Sequence, residues 1–231
     1  MGDKELKPLQ HKYDVWFRGI NRGKVVPNSQ NYDQNLKIVA SFDTPLQHKY
    51  DVWFRGINRG KVVPNSQNYD QNLKIVASFD TVQSFWSVYT HLVRPNDLTG
   101  HCDLHVFKSG IKPLWEDPAN RDGGMWKLRL RKGLASRFWE NLLLAFIGEQ
   151  FMVGDDICGI VVACRFYEDY ICIWNRSGHD QEIKTKINQT LKRILNLPST
   201  IILEYKVHSE ALKKCNNRSS NKTNKNMVIA T

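Results

Sequence analysis

Alternating apolar and polar residues predict several strands in the second half of the chain. In residues 125–132 the apolar side chains fall on one face of an extended chain and the basic ones on the other. The apolar face carries Trp126, Leu128 and Leu130, and the basic face carries Lys127, Arg129 and Arg131. GIVVACRFYEDYICIWNR predicts a hairpin that turns near Glu168 and Asp169, and IILEYKVH predicts a last strand.

Apolar residues at helical spacing predict helices between these strands. VQSFWSVYTHLVRP follows Thr81, a suitable N-cap, and places an apolar stripe behind it. SRFWENLLLAFIGEQF predicts a helix over residues 136–147 that ends near Gly148. DQEIKTKINQTLKRILNLP predicts a second long amphipathic helix, with Pro198 beyond its end. Strands and helices in this order indicate an α+β domain.

A segment of 37 residues occurs twice in the chain. PLQHKYDVWFRGINRGKVVPNSQNYDQNLKIVASFDT runs from residue 8 to 44 and again from 45 to 81, identical at all 37 positions. Repeat proteins need about three units to bury the hydrophobic face of each unit. Two perfect copies therefore indicate a recent exon duplication or an error in the gene model. Only the second copy continues into the predicted helix at Val82, because Pro45 follows Thr44. We therefore expect the second copy to join the fold.

These observations predict three parts of the chain. Residues 1–44 are expected to be a redundant, disordered copy, residues 45–212 one folded domain, and residues 213–231 a disordered basic tail.

The formal net charge is +10, of which five charges lie in the tail, so the charge permits a polyanionic partner without demanding one. Five cysteines without a CxxC motif, and no apolar run that could span a bilayer, predict a cytoplasmic protein, with cytoplasmic granules or the nucleus as further compartments.

Motifs of catalysis are missing from the sequence. It contains no GxSxG, HExxH, P-loop or GxGxxG motif, so we expect no enzyme and no cofactor. HCDLH (101–105) would place His101, Asp103 and His105 on one face of a strand, which is a possible metal site. No further Cys/His set stands in register with it, so ordinary histidines are favoured and no metal is expected.

The segment SGIKPLWEDPANRDGGMW (109–126) predicts a loop that carries Trp115 beside Glu116. From local features alone, the pair could be an aromatic plug next to a solvated acid. Alternatively, an aromatic face and a carboxylate acceptor can stack on guanine and bind its N–H edge. Methylation of the ring nitrogen makes the base cationic, which strengthens both contacts.

From about Pro45 to His208 the sequence resembles eukaryotic initiation factor 4E, and more closely the 4E-homologous branch of messenger-RNA cap-binding repressors. The matching blocks include PLQHKYDVWF, FDTVQSFWSVYTHL, FKSGIKPLWED, GGMW, WENLLLAFIGEQF, ICGIVVACRF, ICIWN and EYKVH. The resemblance implies a curved antiparallel sheet with about three long helices on its convex face. It also implies that the domain at 45–212 binds the 7-methylguanosine cap on the concave face.

The resemblance also implies roles for individual residues at the cap. Tyr69 and Trp115 would sandwich the base, Glu116 would bind its edge, Trp174 would face the methyl group, and Arg165 would bind phosphate. Tyr167, Tyr170 and Met125 stand where initiation factor 4E has basic residues. We therefore expect weaker cap affinity, with Arg129 and Arg131 as substitute phosphate ligands. Because only the second copy continues into the helix, Tyr69 rather than Tyr32 should stack on the cap.

A second surface in the family binds a Tyr-x-x-x-x-Leu helix of partner proteins. Trp86 matches the exposed tryptophan of that surface, and Val82, Pro45 and Asn141 complete the expected contact set. The plain alternative is that Trp86 is a core residue. Glu140-Asn141 matches the 4E-homologous branch, which implies repressor adaptors as partners.

The sequence thus predicts a cap-binding protein that competes with the initiation factor and recruits repressor adaptors. An active initiation factor that recruits the scaffold protein is one alternative. A cap-processing hydrolase is another, opposed by the lack of an acidic metal-binding motif. The duplication leaves open a product without a stable function.

Overall fold

The computed structural model describes residues 14–18, 36–41, 45–57 and 72–210. Its strands are β1 (Asp14–Arg18), β2 (Leu36–Ser41), β3 (Pro45–Ile57), β4 (Leu73–Thr81), β5 (His101–Lys108), β6 (Gly124–Arg131), β7 (Ile157–Cys164), β8 (Glu168–Asn175) and β9 (Glu204–Val207). Its α-helices of two or more turns are α1 (Val82–Tyr89), α2 (Ala135–Ile147) and α3 (Gln181–Ile194), with 3-10 turns at Pro95–Asp97 and Gly154–Asp156. Within these ranges, no helix is long and apolar enough to cross a membrane.

Seven strands form one sheet in the order β4-β3-β5-β7-β8-β6-β9. Every neighbouring pair is antiparallel. Register shifts between Val52 and Trp53 and between Ile157 and Gly159 bend the strands and curve the sheet. The α+β architecture predicted from the sequence is confirmed.

Apolar side chains fill both faces of the sheet. On one face they pack against the helices, where the largest of them, Trp139 of α2, is 1% exposed. Leu128 and Leu130 of β6 join this cluster, as their alternation predicts. On the opposite face a smaller cluster surrounds Phe107 and Trp174. A Cβ atom at Gly159 would lie 2.3 Å from the Phe107 ring, so the ring fits only against bare backbone.

Local sequence explains where α1 begins. The Thr81 hydroxyl accepts a hydrogen bond from Ser84 N, and Ser84 Oγ accepts one from Thr81 N, which together form a capping box. Phe85 points inward and is 2% exposed, whereas Trp86 is 38% exposed. The predicted N-cap and the inward position of Phe85 are confirmed. The helix is shorter than predicted, because it ends at Tyr89 and leaves Val93, the last residue of the predicted apolar stripe, beyond it and 56% exposed.

The other two helices follow their predicted bounds closely. Helix α2 begins at Ala135, one residue earlier than predicted, and Gly148 follows its last residue as expected. Asp180 caps α3 by accepting hydrogen bonds from the backbone N–H groups of Glu182 and Ile183.

The turn of the β7–β8 hairpin differs from its prediction. It lies at residues 165–167, and Glu168 and Asp169 already belong to β8. The fully buried Asp169 carboxylate accepts from Arg165 N at 3.1 Å and from Lys132 Nζ at 2.6 Å. These bonds hold Asp169 beneath the turn, so it does not lie at the solvent-facing tip.

The two identical segments form hairpins of identical register. Phe17 pairs with Lys37 in β1–β2 as Phe54 pairs with Lys74 in β3–β4, and both hairpins shift register at the same position. Only the second hairpin belongs to the seven-stranded sheet, where β3 pairs with β5 from Tyr50 to Ile57.

This placement agrees with the argument from connectivity. The disorder predicted for residues 1–44 stays a prediction, and of that range the structure describes strands β1 and β2. The rest of that range, Tyr32, Tyr69 and the tail at 213–231 lie outside the described residues.

Candidate functional site

The candidate site occupies the face of the sheet opposite α2 and α3, called the concave face below. Alternation along β5, β6 and β8 sends one set of side chains to this face. The set comprises Asp103, His105 and Phe107 of β5, Met125, Lys127, Arg129 and Arg131 of β6, and Tyr170, Cys172 and Trp174 of β8. The rings of Phe107 and Trp174 therefore lie at one end of the face, and the basic side chains of β6 lie along it toward the other end.

The loop between β5 and β6 is braced by its own polar side chains. The Asp117 carboxylate accepts from Lys112 N at 3.0 Å and from Ala119 N at 2.9 Å. Asn120 is fully buried, and its Nδ2 donates to the carbonyls of Lys112 and Leu114, both at 2.8 Å. The segment is a loop, as predicted, with a fixed conformation.

This loop holds the Trp115 ring near the rings of His208 and Trp174. The His208 ring lies between two tryptophans, with its centroid 4.4 Å from Trp174 and 6.5 Å from Trp115. Trp174 meets Phe107 edge to face at 5.5 Å. Trp115 is half-buried and Glu116 beside it is exposed. Two of the predicted cap residues, Trp115 and Trp174, are thus joined by a histidine, and we call these three residues the aromatic shelf.

His208 is a site residue that the sequence reasoning missed. It is 1% exposed, and its Nδ1 lies 2.8 Å from the Asn120 carbonyl, so Nδ1 carries the proton and donates. Burial lowers the pKa of His208, so the ring is neutral near pH 7. Its position at the end of EYKVH is the only sequence signal that could have drawn attention to it.

Two glycines allow the loop to approach the neighbouring strands. A Cβ atom at Gly123 would lie 2.0 Å from the Asn175 carbonyl, and one at Gly124 would lie 2.5 Å from the Tyr205 hydroxyl. Because the backbone is bare there, His208 N donates to the Gly123 carbonyl at 3.0 Å. Gly123 and Gly124 therefore allow the backbone contact that positions His208.

Arg165, the predicted phosphate ligand, is held by a buried carboxylate. One Arg165 Nη lies 2.6 Å from Asp103 Oδ1, and it also donates to the carbonyls of Cys102 and Cys164. Arg55 donates to Asp103 Oδ2 from Nε at 2.9 Å and from Nη at 2.6 Å. Two guanidinium groups thus share one carboxylate, which leaves a surplus of positive charge at this point of the concave face.

The Asp103 carboxylate belongs to the HCDLH motif, and its contacts show that the motif forms ion pairs. Asp103 is 3% exposed, and although burial opposes its ionisation, Arg165 and Arg55 lower its pKa. Burial lowers the pKa of His105 to about 4, so this ring is neutral. Among the described residues no group of three His, Cys, Asp or Glu side chains is arranged to hold a metal. Sequence reasoning considered Asp103 only as a metal ligand and missed its role beneath Arg165.

The basic side of β6 continues the positive surface. Arg129 is 63% exposed and lies 3.6 Å from Glu168, and Arg131 is exposed. Lys127 Nζ lies 3.6 Å from the centre of the Tyr170 ring. Tyr170 stands where initiation factor 4E has a basic residue, so that positive charge is absent. Its ring nevertheless binds the Lys127 ammonium by a cation–π contact on the same face.

The predicted partner surface lies on the helical side of the sheet. The Trp86 ring contacts Phe85 at 5.0 Å and Tyr89 at 5.7 Å but remains 38% exposed. The Tyr89 hydroxyl donates to the Glu140 carboxylate and joins α1 to α2. The remaining predicted residues are the exposed Pro45 and the half-buried Val82 and Asn141. The exposure of Trp86 argues against its reading as a core residue.

Comparisons with known proteins agree with this architecture. The family model described as "Eukaryotic initiation factor 4E" matches residues 45–224, beginning with the first residue of the second copy. "Eukaryotic translation initiation factor NCBP" of Triticum aestivum is 45% identical over 208 residues, which cover 90% of this chain and 72% of the relative.

Solved structures of nematode proteins give the same result. The complex of C. elegans eIF4E-3 with the 4E-binding protein Mextli and cap analog has a TM-score of 0.68 and 38% identity, covering 73% of this chain and 95% of that one. Ascaris suum eIF4E-3 with m7G cap has a TM-score of 0.66 and 39% identity, covering 71% and 91%. With its curved antiparallel sheet and these matches, the chain belongs to the eukaryotic initiation factor 4E family.

Proposed function

We propose that this chain binds the 7-methylguanosine cap of messenger RNA on the concave face. The observation that carries the proposal is the aromatic shelf beside the exposed Glu116, with Arg165 bound to Asp103 on the same concave face. Solved relatives contain a cap analog or an m7G cap. The family consists of cap-binding factors rather than enzymes, and the proposed activity is binding without chemistry.

Each residue has a physical role in this proposal. Trp115 stacks on the cationic base from one side and Tyr69 from the other. The Glu116 carboxylate accepts the paired N–H donors of guanine, and Trp174 faces the methyl group. Planar guanidinium groups suit phosphate oxygens, so Arg165 binds the triphosphate.

Further phosphate contacts come from the basic side of β6. Arg129 and Arg131 are exposed there, and Lys127 is added to them by its position against Tyr170. Met125 packs with the second apolar cluster, and Tyr167 carries no charge. We therefore propose weaker cap affinity than in relatives that have basic residues at these positions.

We further propose that the protein represses translation in the cytoplasm, including cytoplasmic granules. It would compete with the initiation factor for caps and recruit repressor adaptors through Trp86. The support is the exposed Trp86 beside the Glu140-Asn141 pair, together with a solved relative bound to a 4E-binding protein. The alternative is an active factor that recruits the initiation scaffold. Parallel pulldowns with scaffold and adaptor peptides distinguish the two.

Cap binding is tested by titrating the protein with 7-methylguanosine triphosphate and with GTP while following tryptophan fluorescence. Trp115 and Trp174 both line the shelf, so binding should quench their emission. We expect at least tenfold tighter binding of the methylated nucleotide, because only its base is cationic. Equal affinity for the two nucleotides would contradict a cap site.

For the partner surface, Trp86→Ala should abolish capture of a Tyr-x-x-x-x-Leu peptide and leave cap affinity unchanged. The exposed ring offers a contact to the peptide, and its helix lies on the face opposite the aromatic shelf. Pulldown measures the first effect and nucleotide titration the second. If peptide capture, cap affinity and melting temperature fall together, Trp86 is a structural residue.

Deleting residues 8–44 should leave cap binding intact, and Tyr69→Ala should weaken it while Tyr32→Ala does not. Docking the first copy in place of the second would close a loop of 37 residues, which costs on the order of 3 kcal/mol. Nucleotide titration of the three variants measures the difference. Equal losses from the two tyrosine substitutions would mean that the copies exchange.

A further inference from the structure

Two aromatic side chains stand at the turn between β7 and β8. Tyr167 is 94% exposed and Phe166 is 46% exposed, although large aromatic side chains usually bury most of their surface. The Phe166 ring packs on the His101 ring with their centroids 4.3 Å apart, which supports one side of the turn. We call Phe166 and Tyr167 the turn aromatics.

Basic side chains outnumber acidic ones around the turn aromatics, where Arg129, Arg131, Lys132 and Arg165 stand against Glu168 and Asp169. Arg165 directly precedes them, and Lys132 Nζ donates to its carbonyl at 3.0 Å. The nearby acids are already paired, since Asp169 is fully buried against Lys132 and Glu168 lies near Arg129. Exposed rings among cations match the chemistry of single-stranded nucleic acid, which offers bases and phosphates together.

The turn also lies where an RNA chain would leave the proposed cap site. The Trp115 loop joins the Lys108 end of β5 to the Gly124 end of β6, and Trp174 lies at that same end of the sheet. Arg165 lies at the other end. Along β8 the six residues from Trp174 to Glu168 span about 20 Å. If the base of the cap lies on the shelf and its phosphates extend toward Arg165, the next nucleotide of the RNA lies at the turn.

We infer that the turn aromatics form a stacking site for the base of the first nucleotide after the cap. This inference rests on the proposed cap-binding function. The open face of Tyr167 accepts any base, because stacking uses the π-face that all bases share. The ligand is single-stranded RNA attached to the cap, and its backbone would contact the exposed Arg131, whose Cα pairs with that of Glu168 beside the turn.

The test compares three ligands: 7-methylguanosine triphosphate, a capped pentanucleotide, and the same capped pentanucleotide with an abasic first position. Tyr167→Ala should weaken binding of the capped pentanucleotide about fivefold or more and change binding of the mononucleotide less than twofold. The abasic ligand should bind the unaltered protein and the variant equally. Tyr167→Phe keeps the ring and should keep the affinity. Ile202→Ala, which removes a side chain that is 92% exposed, is the matched control.

The outcomes separate this inference from the proposed function. If the unaltered protein fails to bind 7-methylguanosine triphosphate, the cap site and this subsite are both wrong. If it binds but Tyr167→Ala affects all three ligands equally, or none of them, only the subsite is wrong. A Tyr167 that contacts a protein partner instead would give unchanged affinity for every RNA ligand.

Discussion

Replacing Trp115 by alanine should weaken binding of 7-methylguanosine triphosphate at least tenfold. Base stacking on an aromatic side chain contributes about 1–3 kcal/mol, and the positive charge of the methylated base adds a cation–π contribution. Trp115 is half-buried against His208 on a loop with its own hydrogen bonds. Titration by isothermal calorimetry measures the loss, and far-UV circular dichroism should not change.

Substitutions of Glu116 test recognition of the guanine edge in the same way. Glu116→Ala leaves the guanine N–H donors without an acceptor, and an unmatched buried donor costs about 1–3 kcal/mol, so this loss should also reach about tenfold. Glu116→Gln keeps the shape but removes the charge and one acceptor, and should bind with intermediate affinity. Full retention of binding by both alanine variants would show that the base lies elsewhere.

Removing the Asp103 carboxylate should destabilise the fold and weaken phosphate binding together. Asp103→Ala leaves the two guanidinium groups of Arg55 and Arg165 without their shared partner. Breaking a buried ion pair by removing one member costs about 3–5 kcal/mol. For a chain of this length each kcal/mol lowers the melting temperature by about 2–4 °C, so we expect a fall on the order of 10 °C.

Asp103→Asn supplies the control, because it keeps the size and removes only the charge. The pKa of Asp103 is lowered in the fold by Arg165 and Arg55, despite its burial. Its contribution to stability is therefore present above the unfolded pKa near 3.9 and is lost as pH falls through the lower folded value. The stability difference between the unaltered protein and Asp103→Asn should shrink below about pH 4. A difference independent of pH would contradict the ion-pair account.

Features decided by neighbouring residues could be predicted from the sequence. The alternation in β6, the Thr81 N-cap and the outward position of Trp86 depend on strand pleating and helical spacing within a few residues. The loop character of residues 109–123 follows from its Pro, Asn, Asp and Gly content. The placement of the second copy in the sheet follows from connectivity.

Features that depend on distant contacts could not be predicted in the same way. Asp103 meets Arg55 and Arg165, which lie 48 and 62 positions away, and strand register alone brings them together. When the strand register is unknown, the two histidines, the cysteine and the aspartate of HCDLH resemble a set of metal ligands. His208 likewise lies 88 positions from the Asn120 carbonyl that orients it.

The identical registers of the two hairpins should make one part of the sheet tolerant to mutation. Val52 of β3 is fully buried, and a charge there would cost more than the closure of a 37-residue loop. Residues 8–44 contain the equivalent Val15 and the same pairing pattern, so we expect the first copy to replace a damaged second one. Residues after Thr81 occur in one copy. The fraction of substitutions that the protein tolerates should therefore fall abruptly after that residue.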